Sequence, residues 1–449
     1  MPSLLAIFLA LYSKNILLSL FGGVVLGLFI LHDFTFSSSL SAIYSLFFDL
    51  LSEGWILKTL AFAILVGSVM ELLQKSGGIN GFVSYMSHRT TLVKSGRSAL
   101  LLSYIIGIVI FIESSITSLI AGAVGRPLCD KYNVSHAKLA FVCDSTSAPI
   151  SSLIVLNGWG ALLLGLIATQ ISQGGLQGEG IDILLNAVSH NFYAMSALLV
   201  TFFAIWFDIN IGAMKRAKPA QELAHLSTIS TVTPLYMLLP IIAMIASVFL
   251  FLYATGGGNI LKGSGSSAIF YTMLTTLLFM YLLYVPKKVM SAKEYGVTAF
   301  RGAKKLFPIA FILLLAFAIG KVTNELRTGE YLATLLNGNI SVLLLPALIF
   351  LLSGIISFST GTSWGTFSIM VPIAVPLAVS MDADIALAIG AVISGGVFGD
   401  HCSPISDTTI ISSLASECDV VEHVQTQLPY ALISGLIAFG LFLLFAWIG

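Results

Sequence analysis

The feature that most constrains this 449-residue chain is a succession of apolar runs, each close to the length of a membrane crossing. About 20 apolar residues in a helix span a bilayer. Runs at 15–31, 55–73, 191–207, 233–254, 267–285, 307–320 and 428–448 read as crossings. Hydrophobic residues make up 57% of the chain and charged residues 9%. An all-α polytopic membrane protein follows, with the lipid bilayer as its principal partner. A net charge of zero speaks against nucleic acid as a partner. The stretch Met1–Tyr12 has no basic start and no cleavage site, so it reads as a short first helix rather than a signal peptide.

Seventeen of the 21 Lys and Arg residues fall at Lys14 or in the loops 75–97, 126–138, 208–231 and 286–306. That asymmetry places those loops in the cytoplasm. Cys129, Cys143, Cys402 and Cys418 are scattered, which argues against a disulfide framework. A zinc site from His401, Cys402, Cys418 and His423 lacks the usual ligand spacing.

Polar groups interrupt the apolar pattern at four places. Ser394 to Ser413 holds Asp400 and Asp407 with Pro404 between them, among Ser403, Ser406, Thr408 and Thr409. A bare charge at that depth costs a few kcal/mol, so such residues mark function. Proline frees a backbone carbonyl, and Gly395, Gly396 and Gly399 permit close approach and unwinding. Carbonyls, hydroxyls and carboxylates form an all-oxygen environment that suits a hard cation. Asp144-Ser-Thr-Ser-Ala-Pro149 is a similar interruption in the first half. The other two are tips between short apolar arms, Glu113-Ser-Ser-Ile-Thr-Ser118 and Gly361-Thr-Ser-Trp-Gly-Thr366. Such arms read as re-entrant hairpins, because non-helical backbone at that depth must be covered by protein or line a cavity.

The four features form two pairs in the same order. The expected organisation is a first repeat over 1–207, with hairpin 98–128 and broken span 137–171. A cytoplasmic linker follows at 208–231. The second repeat covers 232–449, with hairpin 340–380 and broken span 385–414. Five spans separate the tips, and an odd number inverts the second copy. Inverted repeats with broken helices near the midplane are a pattern of secondary transporters. In this alignment Asp144 pairs with Asp400, and Asp407 with Ser152. A channel is the less fitting use of the same ligands, since two acid-bearing breaks suit alternating access. The Gly-x-Gly-Asp and Tyr-Asp elements of an intramembrane aspartyl protease are missing, so an enzyme is not expected.

Gly399-Asp-His-Cys-Ser-Pro-Ile-Ser-Asp-Thr-Thr-Ile410, with the upstream Gly361–Thr366 tip, resembles the NhaC-type sodium/proton antiporter family. The resemblance implies Na+ and H+ as the coupled ions, no organic cofactor, an elevator-like motion, a homodimer and a bacterial inner-membrane location. The ion-site candidates are Asp400, Asp407, Ser403, Thr408, Asp144 and Ser147. The tip candidates are Glu113, Ser114, Ser115, Thr117, Thr362, Ser363 and Trp364, with Asn157 after the first break. Relatives in the superfamily also carry amino acids and small carboxylates. A second reading is therefore a Na+- or H+-coupled carrier of such a substrate.

Overall fold

A computed structural model describes residues 2–13, 15–89, 93–111, 114–155, 157–218, 232–258, 263–327 and 341–448. Within them the fold is helical, with no strand. The helices are α1 (Pro2–Ser13), α2 (Ile16–Leu31), α3 (Phe36–Ser52), α4 (Gly54–Lys75), α5 (Gly78–Arg89), α6 (Gly96–Val109), α7 (Ser114–Lys131), α8 (His136–Leu153), α9 (Gly158–Ser172), α10 (Gly180–Ser189) and α11 (Phe192–Trp206). A short 3-10 turn, Gly212–Arg216, lies in the linker, whose residues 219–231 are outside the described set. There follow α12 (Leu235–Thr255), α13 (Gly265–Tyr284), α14 (Ala292–Glu325), α15 (Leu345–Thr360), α16 (Ser363–Ser380), α17 (Ile385–Cys402), α18 (Asp407–Ser416) and α19 (Val420–Ile448). By length and composition, eight of the described helices can cross a membrane, or ten if the bent pairs α8–α9 and α10–α11 each count as one span.

Helices α4 and α14 run together and cross at Gly67 and Gly302, where a Cβ on Gly67 would lie 2.2 Å from the Gly302 carbonyl oxygen. Helices α2 and α13 pack on this pair, and α12 packs on α13. A second group holds the hairpins α6–α7 and α15–α16 with α8, α11, α17, α18 and α19. Helix α9 and the α16 arm touch both groups, so the helix beyond the first break and the second hairpin lie where the groups meet.

Helix boundaries recur between the halves. Gly96 and Leu345 open the first hairpin arms, Ser114 and Ser363 the second arms, His136 and Ile385 the next helices, and Gly158 and Asp407 the helices beyond the breaks; each pair is 249 positions apart. The connections match in detail. Asn133 (φ 53°) and Asp382 (φ 55°) both take the left-handed conformation. The next residues, Val134 and Ala383, donate to Cys129 and Ala378, closing the same turn after each hairpin. Ser135 and Asp384 then cap the following helices by accepting from Lys138 N and Leu387 N.

This register departs from the pairing suggested by the motifs. Asp400 corresponds to Ser151, Asp407 to Gly158 and Asp144 to Ile393. The first break is not at 144–149. Helix α8 runs unbroken through Pro149, fully packed from Ala137 to Ser152, and the break lies between Leu153 and Gly158. Hydroxyls along it bond back to the helix's own carbonyls, Thr146 to Val142 O and Ser152 to Pro149 O. In the second half, Ser403 to Ser406 forms the break, with Pro404 inside it. Helix α17 does not unwind at Gly395, Gly396 or Gly399. These glycines serve close approach, since a Cβ on Gly399 would lie 2.1 Å from Gly354 O of α15.

Candidate functional site

Asp400 sits in the last turn of α17 and is 1% exposed. Its Oδ2 accepts from Ser363 Oγ at 3.0 Å, across from the first turn of α16. Its Oδ1 has no hydrogen-bond partner among the described residues. Asp407 opens α18 beyond the break and accepts from Thr408 N at 2.9 Å. Both carboxylates line one cavity of about 140 Å³, walled by Ser114, Ser115, Thr362, Ser363 and Trp364 of the two hairpins, Trp159 of α9, and apolar side chains of α4 and α14. The Trp159 and Trp364 rings meet edge to face at 6.2 Å. Among the described residues no lysine or arginine lines it. Asp400, buried without a fixed cation among the described residues, calls for a mobile cation or a proton, because uncompensated buried charge is costly; Asp407 faces the same hollow from an exposed position.

Asp144 lies beside this cavity rather than in its wall. It is fully buried, and its Oδ2 accepts from Gln427 Nε2 (2.7 Å) and Thr409 Oγ1 (3.2 Å) and faces His423 Nε2 at 3.4 Å. Thr409 Oγ1 is also 3.5 Å from the Asp400 carbonyl oxygen, so one hydroxyl adjoins both acidic positions. Gln427 Nε2 donates in addition to His401 O at 2.8 Å, and the His401 ring meets Tyr193 Oη at 3.0 Å. A hydroxyl chain continues the cluster: Ser412 Oγ donates to Ser118 Oγ (3.0 Å), which donates to Ser147 Oγ (2.8 Å).

Other candidates shape the joints. Ser403 donates to Phe358 O and holds the break against the end of α15. Thr408 Oγ1 lies 3.1 Å from Ser406 Oγ, whose residue caps α18. Asn157 caps α9, accepting from Trp159 N and Gly160 N, and donates to Phe111 O and Ser151 O, so it joins the first break to the first tip. Thr117 donates to Ile110 O across that tip. Glu113 lies outside the described residues. Sequence reasoning placed Thr409 only among the hydroxyls around Asp400 and Asp407, weighed His423 only for a zinc site, and did not single out Gln427. His423 and Gln427 are four residues apart on a helix that is otherwise mostly apolar, the spacing that puts side chains on one face.

Residues 157–447 match the model of the Na+/H+ antiporter family. The chain belongs to this family. It is accordingly a multi-pass membrane protein and a secondary transporter, not an enzyme. A Haemophilus influenzae protein with no stated activity is 33% identical over 96% of this chain and 87% of its own length. A second H. influenzae protein, named as a Na+/H+ antiporter, is 41% identical over 18% of this chain and 19% of its own. The malate-2H+/Na+-lactate antiporter of Bacillus subtilis is 32% identical over 26% of this chain and 25% of its own. Among solved structures, the YdaH transporter of Alcanivorax borkumensis has the same fold, with a TM-score of 0.63, 13% identity, and coverage of 92% of this chain and 90% of that one.

Proposed function

We propose that this chain exchanges Na+ for H+ at a site formed by Asp400 and Asp407, with Ser363 and Thr362 supplying hydroxyl oxygens. The observation that carries the reading is one small cavity shared by both carboxylates and the tips of both hairpins. A carboxylate there can hold a proton or contribute to a sodium shell, and competition for one site couples the two fluxes. Asp144, with Thr409 and Ser147 around it, supports the site from the side. Alternating access follows if the hairpin group moves against the α4–α14 pair, an elevator-like motion, and the matched helix boundaries support an inverted repeat. A homodimer in a bacterial inner membrane completes the reading.

A second reading, coupled transport of a small carboxylate, is favoured by the B. subtilis relative's name and by the paired tryptophans. Two acids in the cavity oppose it, because an anionic substrate would need a proton or cation between itself and them. Purified protein in liposomes with a trapped pH dye separates the readings. A Na+ gradient alone should drive proton movement under the first. Proton movement that requires added lactate or malate would establish the second and sink the first.

A further inference from the structure

The basic face of the molecule holds a second cavity, of about 730 Å³, where the ends of α6, α8 and α11 meet. Among the described residues its wall carries Arg97, Lys138 and Lys215 from three separate elements, and a single acid, Asp208. Tyr132, Asn133, Ser135 and Asn210 add hydroxyl and amide groups. Lys138 is 5% exposed, and its Nζ is paired with Asp208, whose own side chain is 71% exposed. That pairing, chiefly the hydrogen bond from Lys138, holds the Asp208 carboxyl below its usual range. Arg97 and Lys215 have no carboxylate within ion-pair distance among the described residues. Two cations are thus in excess in a polar hollow. Arg97 and Lys215 are themselves exposed, but charge asymmetry across a membrane requires neither that such side chains share one hollow nor that a buried ammonium stand beside them.

The geometry points to a phosphate-binding site, in which Arg97 and Lys215 hold the phosphate oxygens and Lys138 exchanges its Asp208 partner for them. A large, polar, cationic hollow suits this anion, since guanidinium and ammonium groups make charge-assisted hydrogen bonds to phosphate. Two sources share the chemistry: the headgroup of an acidic phospholipid, which is plentiful in a cytoplasmic leaflet, and a free phosphate. Occupancy would tie α6, α8 and the segment after α11 together. Lys138 lies only six residues before Asp144 on α8, so the site bears on the helix that flanks the ion cavity.

The test uses purified full-length protein in detergent, titrated with dioctanoyl phosphatidylglycerol, with inorganic phosphate, and with zwitterionic dioctanoyl phosphatidylcholine, with melting temperature as the readout. Phosphatidylglycerol should raise the melting temperature saturably, and phosphatidylcholine should not. The double variant R97Q/K215Q should raise the half-effect concentration about thirtyfold, at roughly one surface charge–lipid interaction lost per residue. D208N, which frees Lys138, should lower that concentration, a change of opposite sign that general damage to the fold would not give. If inorganic phosphate alone reproduces the wild-type shift and its sensitivity to both variants, the site stands with free phosphate as its ligand. Equal responses to the acidic and zwitterionic lipids, or responses that neither variant moves, would overturn it.

Discussion

Asp400 and Asp407 share a cavity but not an environment. Asp400 is buried and anchored on one oxygen by Ser363, while Asp407 is open and accepts only from the next residue's N–H at a helix start that Ser406 caps. Asp400→Asn and Asp407→Asn should each lower Na+-driven proton flux by at least about tenfold, given that a hydrogen bond to a charged group is worth roughly 1.5–3 kcal/mol. Ser363→Ala should weaken apparent Na+ affinity while leaving the maximal rate closer to wild type. Flux in proteoliposomes, normalised to purified monodisperse protein, checks this. Unchanged flux in both aspartate variants would remove the ion site from the cavity. The acids themselves were plain in the sequence, because a Gly-Asp…Pro…Asp stretch inside an apolar run has few structural uses. The donors to Asp144 were not, because Thr409, His423 and Gln427 reach it from 265 to 283 positions away, and no local pattern records that pairing.

The helical elements depend on glycine where α15 and α17 cross. A Cβ at Gly399 would lie 2.1 Å from Gly354 O and 2.7 Å from Phe358 N, both backbone atoms that cannot rotate away. Gly399→Ala should force the helices apart and cost about 1–3 kcal/mol, as overpacking does. Gly440→Ala, where nothing lies within 4 Å, should be neutral or stabilising, since alanine is the better helix former. Melting of the two variants side by side checks the contrast; an equally mild effect at both would mean that the crossing is loose. The same helices show what a sequence can and cannot tell. Pro404 lies in the segment 403–406, where α17 has ended at Cys402 and α18 has not begun. Pro149 lies inside a continuous helix, and α8 is buried along its length from Ala137 to Ser152. The first break, at 154–157, contains no proline and shows itself only through Asn157, which caps the helix beyond it.

At the scale of the whole molecule, the matched turns at Asn133 and Asp382 make the inversion of the halves testable. Each follows the second arm of a hairpin, is exposed, has the same left-handed backbone, and precedes an 18-residue helix that ends at a four-residue break. Yet their surroundings differ in charge. Asn133 lies on the wall of the cationic hollow with Arg97 and Lys138, whereas Asp382 stands beside Asp384 and has no lysine or arginine within ten residues on either side. Two equivalent turns on the same membrane face would have no reason to diverge this way. On opposite faces they would, because lysine and arginine are retained on the cytoplasmic side. In a background where Cys129, Cys143, Cys402 and Cys418 are replaced by serine or alanine, N133C should react with an impermeant maleimide only from the cytoplasmic side and D382C only from the other. Inside-out vesicles against intact cells give the two readouts. Labelling of both from one side would mean that an even number of crossings lies between the turns. The copies would then be parallel, and alternating access could not arise from exchanging the roles of two inverted halves.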